Sequence, residues 1–138
     1  MINRFTIVMI CFFAGCGGPK LESVVPASGV LTYKGKPLVG YKITVFPNGD
    51  LQSASAISEE DGRFKLGCNV PGDGSPPGTH RINVVFVSEV AEGESGKETF
   101  RTLIPKIKVP KKYEAPETSG IELVVPPSGS TELKIELD

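Results

Sequence analysis

Polar and apolar residues alternate along this chain in short runs that glycine and proline interrupt. Tyr41, Ile43 and Val45 take one side of such a run, with Lys42 and Thr44 on the other. His80, Ile82, Val84 and Phe86 alternate in the same way with Arg81, Asn83, Val85 and Val87. Near the end, Ile121, Leu123 and Val125 alternate with Glu122 and Val124, then Thr131, Leu133, Ile135 and Leu137 with Glu132, Lys134 and Glu136. Period-two alternation predicts strands with one buried face. Further strands are expected over 29–34, 52–58 and 63–66. A short edge strand is expected to carry Ile107 and Val109, because prolines flank it. No segment keeps a helical period, so no helix is expected. The pattern predicts an all-β sandwich of seven to eight strands.

Turn chemistry sets the expected connections. Lys34-Gly35 turns the first strand, and Asp61-Gly62 predicts a hairpin between 52–58 and 63–66, since glycine accepts the positive φ such turns need. Pro126-Pro127-Ser128-Gly129 is expected to join the last two strands as a hairpin with one wet face. Val70–Gly78, with three prolines and three glycines, and the charged excursion 88–101 are the two long loops. Loops on a rigid sandwich are the usual place for recognition.

The N-terminus reads differently. Met1 to Arg4 is a basic start, Phe5 to Ala14 an apolar run, and Ala14-Gly15-Cys16 closes it with small residues before a cysteine. This resembles a bacterial lipoprotein signal peptide over 1–15, cleaved between Gly15 and Cys16. The apolar run is roughly half the ~20 residues a membrane-spanning helix needs. Cys16 would then carry a diacylglyceryl group and an N-acyl chain, together enough for stable anchoring. Residues 16–26 follow as the lipidated cysteine and a tether, and 27–138 as the sandwich domain. Gly17 after the lipidated position favours the outer membrane, facing the periplasm or the exterior.

Composition narrows the rest. A net charge of −1 with no basic stripe argues against nucleic acid. Of three cysteines, Cys11 leaves with the signal and Cys16 takes lipid, so Cys68 keeps a thiol and no disulfide forms. Cys68 follows Phe64 and Leu66 at even spacing and is expected in the core as a small hydrophobe. His80 is the only histidine. It is in phase with a core strand and is expected to pack and bond nearby backbone, with contact to a ligand or catalysis as the alternative. Glu59, Glu60 and Asp61 are the one tight carboxylate cluster and a weak calcium candidate; a solvated turn is the expected reading. Tyr33, Tyr41 and Tyr113 near turns either cap the core or stack on sugar, and Tyr33 and Tyr113 are the ligand-contact candidates. The lysines at 34, 36, 106, 108, 111 and 112 guard strand edges, or meet an anionic surface. No cofactor is expected.

Three segments carry a resemblance. Ser28-Gly29-Val30-Leu31-Thr32-Tyr33-Lys34-Gly35-Lys36-Pro37-Leu38, Ser58-Glu59-Glu60-Asp61-Gly62-Arg63-Phe64 and Pro77-Gly78-Thr79-His80-Arg81-Ile82 resemble, in that order, the opening strand, acidic turn and core-strand start of the carboxypeptidase regulatory-like, transthyretin-like domain. Val109-Pro110-Lys111-Lys112-Tyr113 and Glu117-Thr118-Ser119-Gly120-Ile121 are similar to segments of small bacterial lipoproteins built from that domain. The resemblance spans about 27–137 and implies a prealbumin-like (Ig-like) sandwich. The histidines, arginine and tail motif of that fold's urate-pathway hydrolase have no counterparts here, so no enzyme is expected. A non-enzymatic structural or interaction module is the leading expectation. The alternative is a carbohydrate- or peptide-binding module using the 70–78 and 88–101 loops, with an envelope glycan or protein as partner.

Overall fold

The computed structural model of the chain describes Gly18, residues 21–92 and residues 99–138. The expected signal segment 1–15, its cleavage at Gly15 and the lipidation of Cys16 lie outside the described residues. About 44% of the described residues are strand and about 10% helix, which makes this an all-β structure. The strands are β1 (Ala27–Tyr33), β2 (Lys36–Pro37), β3 (Tyr41–Phe46), β4 (Ala54–Ile57), β5 (Arg63–Lys65), β6 (Gly78–Phe86), β7 (Glu89–Glu92), β8 (Thr99–Thr102), β9 (Glu122–Val125) and β10 (Ser130–Leu137).

They form two four-stranded sheets and a separate hairpin. In the first sheet β10 runs parallel to β1, and β2 and β5 both pair antiparallel with β1 on its other side. The second has the order β4-β3-β6-β9, antiparallel throughout. Among the described residues, β7 and β8 pair only with each other.

The alternating residues meet between the two sheets. Leu31 and Leu38 from the first sheet side, Ile43, Val45, Ile82 and Val84 from the second, and Ile135 and Leu137 from β10 are all fully buried. Burying each contributes about 1.5–3 kcal/mol relative to exposure. Gly29 shows what the parallel pairing requires. A Cβ there would stand 1.9 Å from the Leu133 carbonyl oxygen, so only glycine lets β1 approach β10 this closely. The register also shifts at that point, from Ala27 opposite Ser130 to Gly29 opposite Leu133.

Five expectations are corrected. Asp61 and Gly62 do take positive φ, at 64° and 73°, yet β4 and β5 separate after the turn. β4 joins β3 and β5 joins β1, leaving only a bridge between Ser55 and Gly67. Likewise β9 and β10 are not a hairpin; Pro126–Gly129 carries the chain from one sheet to the other. Each pair buries its apolar side in the common core from opposite sheets, which alternation alone does not distinguish from lying side by side. The edge strand at Ile107 and Val109 does not form, and both residues pack irregularly on the core. Residues 88–101 are not simply a loop, because β7 and β8 pair across them. Short helical turns do exist: 3-10 turns at Glu60–Gly62 and Lys111–Glu114, and one α turn, α1 (Pro116–Ser119). The last two are placed by tertiary contacts with β6 and not by an apolar period.

Segment 103–121 closes the flank that β9 leaves open. β9 pairs only with Gly78–Arg81 of β6. Beyond that, the Ile82 amide bonds the Ile121 carbonyl, and Ser119 Oγ donates to the Ile82 carbonyl at 2.6 Å. Tyr113, 3% exposed, fills the core here. Its hydroxyl donates to the Asp138 main-chain oxygen and accepts from the Asp138 amide, at 3.0 and 3.1 Å.

Candidate functional site

Strand alternation that buries Ala27, Gly29 and Leu31 turns Ser28, Val30 and Thr32 to the outer face of the first sheet. These are small side chains, whereas both neighbouring strands present long charged ones. Arg63 and Lys65 stand on β5, and Glu132, Lys134 and Glu136 on β10, all exposed. Short residues between long ones make a trough, floored by β1, with a volume of about 950 Å³. Glu59 contributes to the β5 side.

Register gives the trough its electrostatic plan. Val30 is paired with Arg63 on one side and with Lys134 on the other. Two inter-strand spacings put those two backbones roughly 10 Å apart. Ser28 faces Lys65, and Thr32 faces Glu136. The β10 wall therefore reads negative, positive, negative at two-residue spacing, and the β5 wall carries two cations. No aromatic ring is exposed in the trough; Phe64 lines it but is 3% exposed and faces the core.

The residues singled out in the sequence are not gathered here, apart from Glu59. His80 is 3% exposed, and its Nε2–H donates to the Pro76 carbonyl at 2.7 Å, leaving Nδ1 as a buried acceptor with no partner. Tyr113 is buried as described, so neither side chain is presented at the surface, and the ligand contacts expected of them are not available. Tyr33 is half-buried, with the Lys34 ammonium 5.4 Å from its ring centre. Glu59, Glu60 and Asp61 do not converge: among the described residues no group of three or more histidine, cysteine, aspartate or glutamate side chains is placed to hold a metal. Cys68 is a free thiol packed against the core and only half-buried, because the chain leaves the strand after Lys65; its Sγ lies 3.5 Å from the Gln52 carbonyl.

The two long loops do not share a site. Val70–Gly78 precedes β6 and 88–101 follows it, so they leave opposite ends of a nine-residue strand, roughly 27 Å apart. Val70–Gly78 is also largely occupied with structure. Gly74, Ser75 and Pro76 are buried, and Val25 pairs with Ser75 through both main-chain hydrogen bonds. Asn69 makes two hydrogen bonds to the Glu22 backbone, at 2.9 and 3.0 Å. The expected tether of 16–26 is thus already docked from Glu22 onward.

Sequence reasoning missed the trough because its defining pair, Arg63 and Lys134, is 71 positions apart in the chain and meets only through β1. The signal that was present is the alternation of charged residues on β10 with small ones on β1. Fold and site together define a two-sheet β-sandwich with an open, charged channel across one outer face. No family model, curated protein or solved structure matches this chain. Among the described residues, no helix is long and apolar enough to cross a membrane.

Proposed function

We propose that this chain is a lipid-anchored lipoprotein of the cell envelope whose prealbumin-like sandwich is a non-enzymatic interaction module, working through the trough on the first sheet. The trough carries the reading: an open channel of about 950 Å³, at the upper end of the size of ligand clefts, lined by charges of both signs. The signal-like N-terminus supports the lipid anchor, and two face-to-face four-stranded sheets support the prealbumin-like assignment. Docking of Glu22 and Val25 on the 69–75 loop supports an orientation with that end of the domain toward the lipid. From Cys16 to Glu22 an extended chain spans roughly 20 Å, so that end sits close to the membrane and the β7–β8 hairpin is directed away from it.

Two experiments test this. Cys16→Ser is expected to release the protein from the membrane fraction; full-length protein that stays membrane-bound overturns the anchor. A photo-cross-linking residue at Thr32, in the trough, is expected to capture a partner in intact envelopes, while one at Thr79, on the outer face of the second sheet, does not. Equal capture from both positions, or none from Thr32, overturns the trough as the working surface.

A further inference from the structure

We infer that the trough accepts an extended peptide strand of mixed charge, with a carboxylate seated above Val30 between Arg63 and Lys134; this rests on the reading of the trough as the working surface. The register places a guanidinium-bearing and an ammonium-bearing residue directly across one small apolar floor residue. A guanidinium binds a carboxylate through two parallel hydrogen bonds, and an ammonium serves as a point charge from the other side.

The flanking charges choose among anions. Glu132 and Glu136 stand two residues before and two after Lys134 on the same exposed face, and Glu59 lies on the opposite wall. A polyanion would meet carboxylates on both sides of its seat. Along the β10 wall an extended peptide with amines two residues either side of its carboxylate meets a complementary sequence, because its own side chains repeat at the spacing of β10, while on the β5 wall Lys65, opposite Ser28, faces one end of that sequence. The absence of an exposed aromatic platform among the lining residues argues against a glycan, which binds by stacking on such rings. The channel is one strand wide, about 10 Å between its walls, and so admits a single extended chain.

The test uses the full chain in detergent micelles and fluorescence anisotropy with labelled probes. The first is a five-residue peptide with lysine, glutamate and lysine at alternate positions and threonine between them. The second inverts the charges to glutamate, lysine and glutamate. The others are a sulfated oligosaccharide and a neutral glucan. The first peptide is expected to bind at least tenfold more tightly than the second, with affinity falling as salt rises. Lys134→Glu, an exposed change that leaves the core untouched, is expected to weaken the first peptide at least tenfold. A peptide with lysine at all three charged positions is expected to regain affinity for that variant. Equal binding of the two peptides, or no effect of Lys134→Glu, overturns the assignment. Binding of the sulfated oligosaccharide alone, sensitive to Arg63→Gln and Lys134→Gln, overturns the peptide and keeps the trough. Binding of no probe also overturns the peptide, and the Thr32 cross-linking result decides separately whether the trough is used at all.

Discussion

Two irregular stretches of backbone, 67–78 and 103–121, both lie against the core, and they satisfy their polar groups by opposite means. In the first, the Asp73 carboxylate accepts from the amides of Cys68, Asn69 and Val70, at 2.7, 3.2 and 3.3 Å. These carboxylate contacts are local, charged and close to water, beside the neutral bonds that tie the stretch to Glu22 and Val25. In the second, neutral hydroxyls reach across the fold: Tyr41 donates to the Ile107 carbonyl, Ser119 to that of Ile82, and Tyr113 engages Asp138. Burial pushes the Tyr41 phenol above its ordinary value, against a smaller opposing effect of the Val109 backbone, so it stays a neutral donor. Buried backbone groups must find partners in either case. The difference is that the side-chain clasp of one stretch is a carboxylate that acid removes, and that of the other is a set of neutral hydroxyls, two of them on tyrosines that are also core.

The sharpest way to break this contrast is at Tyr113. Tyr113→Ala is expected to cost about 3–5 kcal/mol, the range for truncating a buried aromatic. Urea unfolding followed by circular dichroism measures it. Tyr113→Phe keeps the ring and removes only the hydroxyl, and about 1 kcal/mol is expected. If the two variants lose the same amount, the ring contributes no packing and the second stretch is held by hydrogen bonds alone. Asp73→Ala is next, at about 1 kcal/mol, because its three amides lie near enough to water to find substitute partners.

How far these stretches could be read from sequence follows from the same physics. Alternation placed Ile43, Val45, Ile82, Val84, Leu133 and Ile135 inside, because which face is apolar is a local property. It did not tell that β10 pairs with β1, 100 or so residues away and in parallel, since period two fixes a strand's face and not its partner. Asp61-Gly62 gave its positive φ correctly, and the hairpin expected from it failed because each arm had a better partner in a different sheet. Tyr113 read as a tyrosine near a turn that either caps the core or stacks on sugar; nothing near it in sequence shows that Asp138 waits for its hydroxyl. The trough was illegible for the same reason, being a register of three strands whose residues are separately unremarkable exposed charges.

Acid separates the two stretches. The amides, Cys68 first among them, hold the Asp73 carboxyl below the usual carboxylate range. A depressed folded value means its contribution is complete above the unfolded value of about 3.9 and is lost as pH falls through the folded one. Asp73→Asn is therefore expected to be less stable than the parent at pH 7, with the gap closing progressively below about pH 4. Ser119→Ala, which removes a hydroxyl bonded to the neutral Ile82 carbonyl, should show a gap that does not change over that range. A constant gap for Asp73→Asn would mean the carboxylate charge has no role in holding the loop.

The smallest effect sharpens the comparison at a single atom. Burial raises the Cys68 thiol above its ordinary value, and the negative charges of Asp73 and Glu22 raise it further. A raised value leaves less thiolate at pH 8, so iodoacetamide is expected to modify Cys68 more slowly than a free thiol, as followed by mass spectrometry of the peptide that bears it. Asp73→Asn removes one of the two charges but not the burial that dominates. The midpoint of the rate against pH is then expected to move down slightly, with the limiting rate at high pH unchanged. A risen limiting rate would say instead that the loop has opened, because thiolate fraction sets the midpoint and access sets the plateau. That outcome would make Asp73 as necessary to its stretch as Tyr113 is to the other, and the contrast between a weak local clasp and a strong distant one would fall.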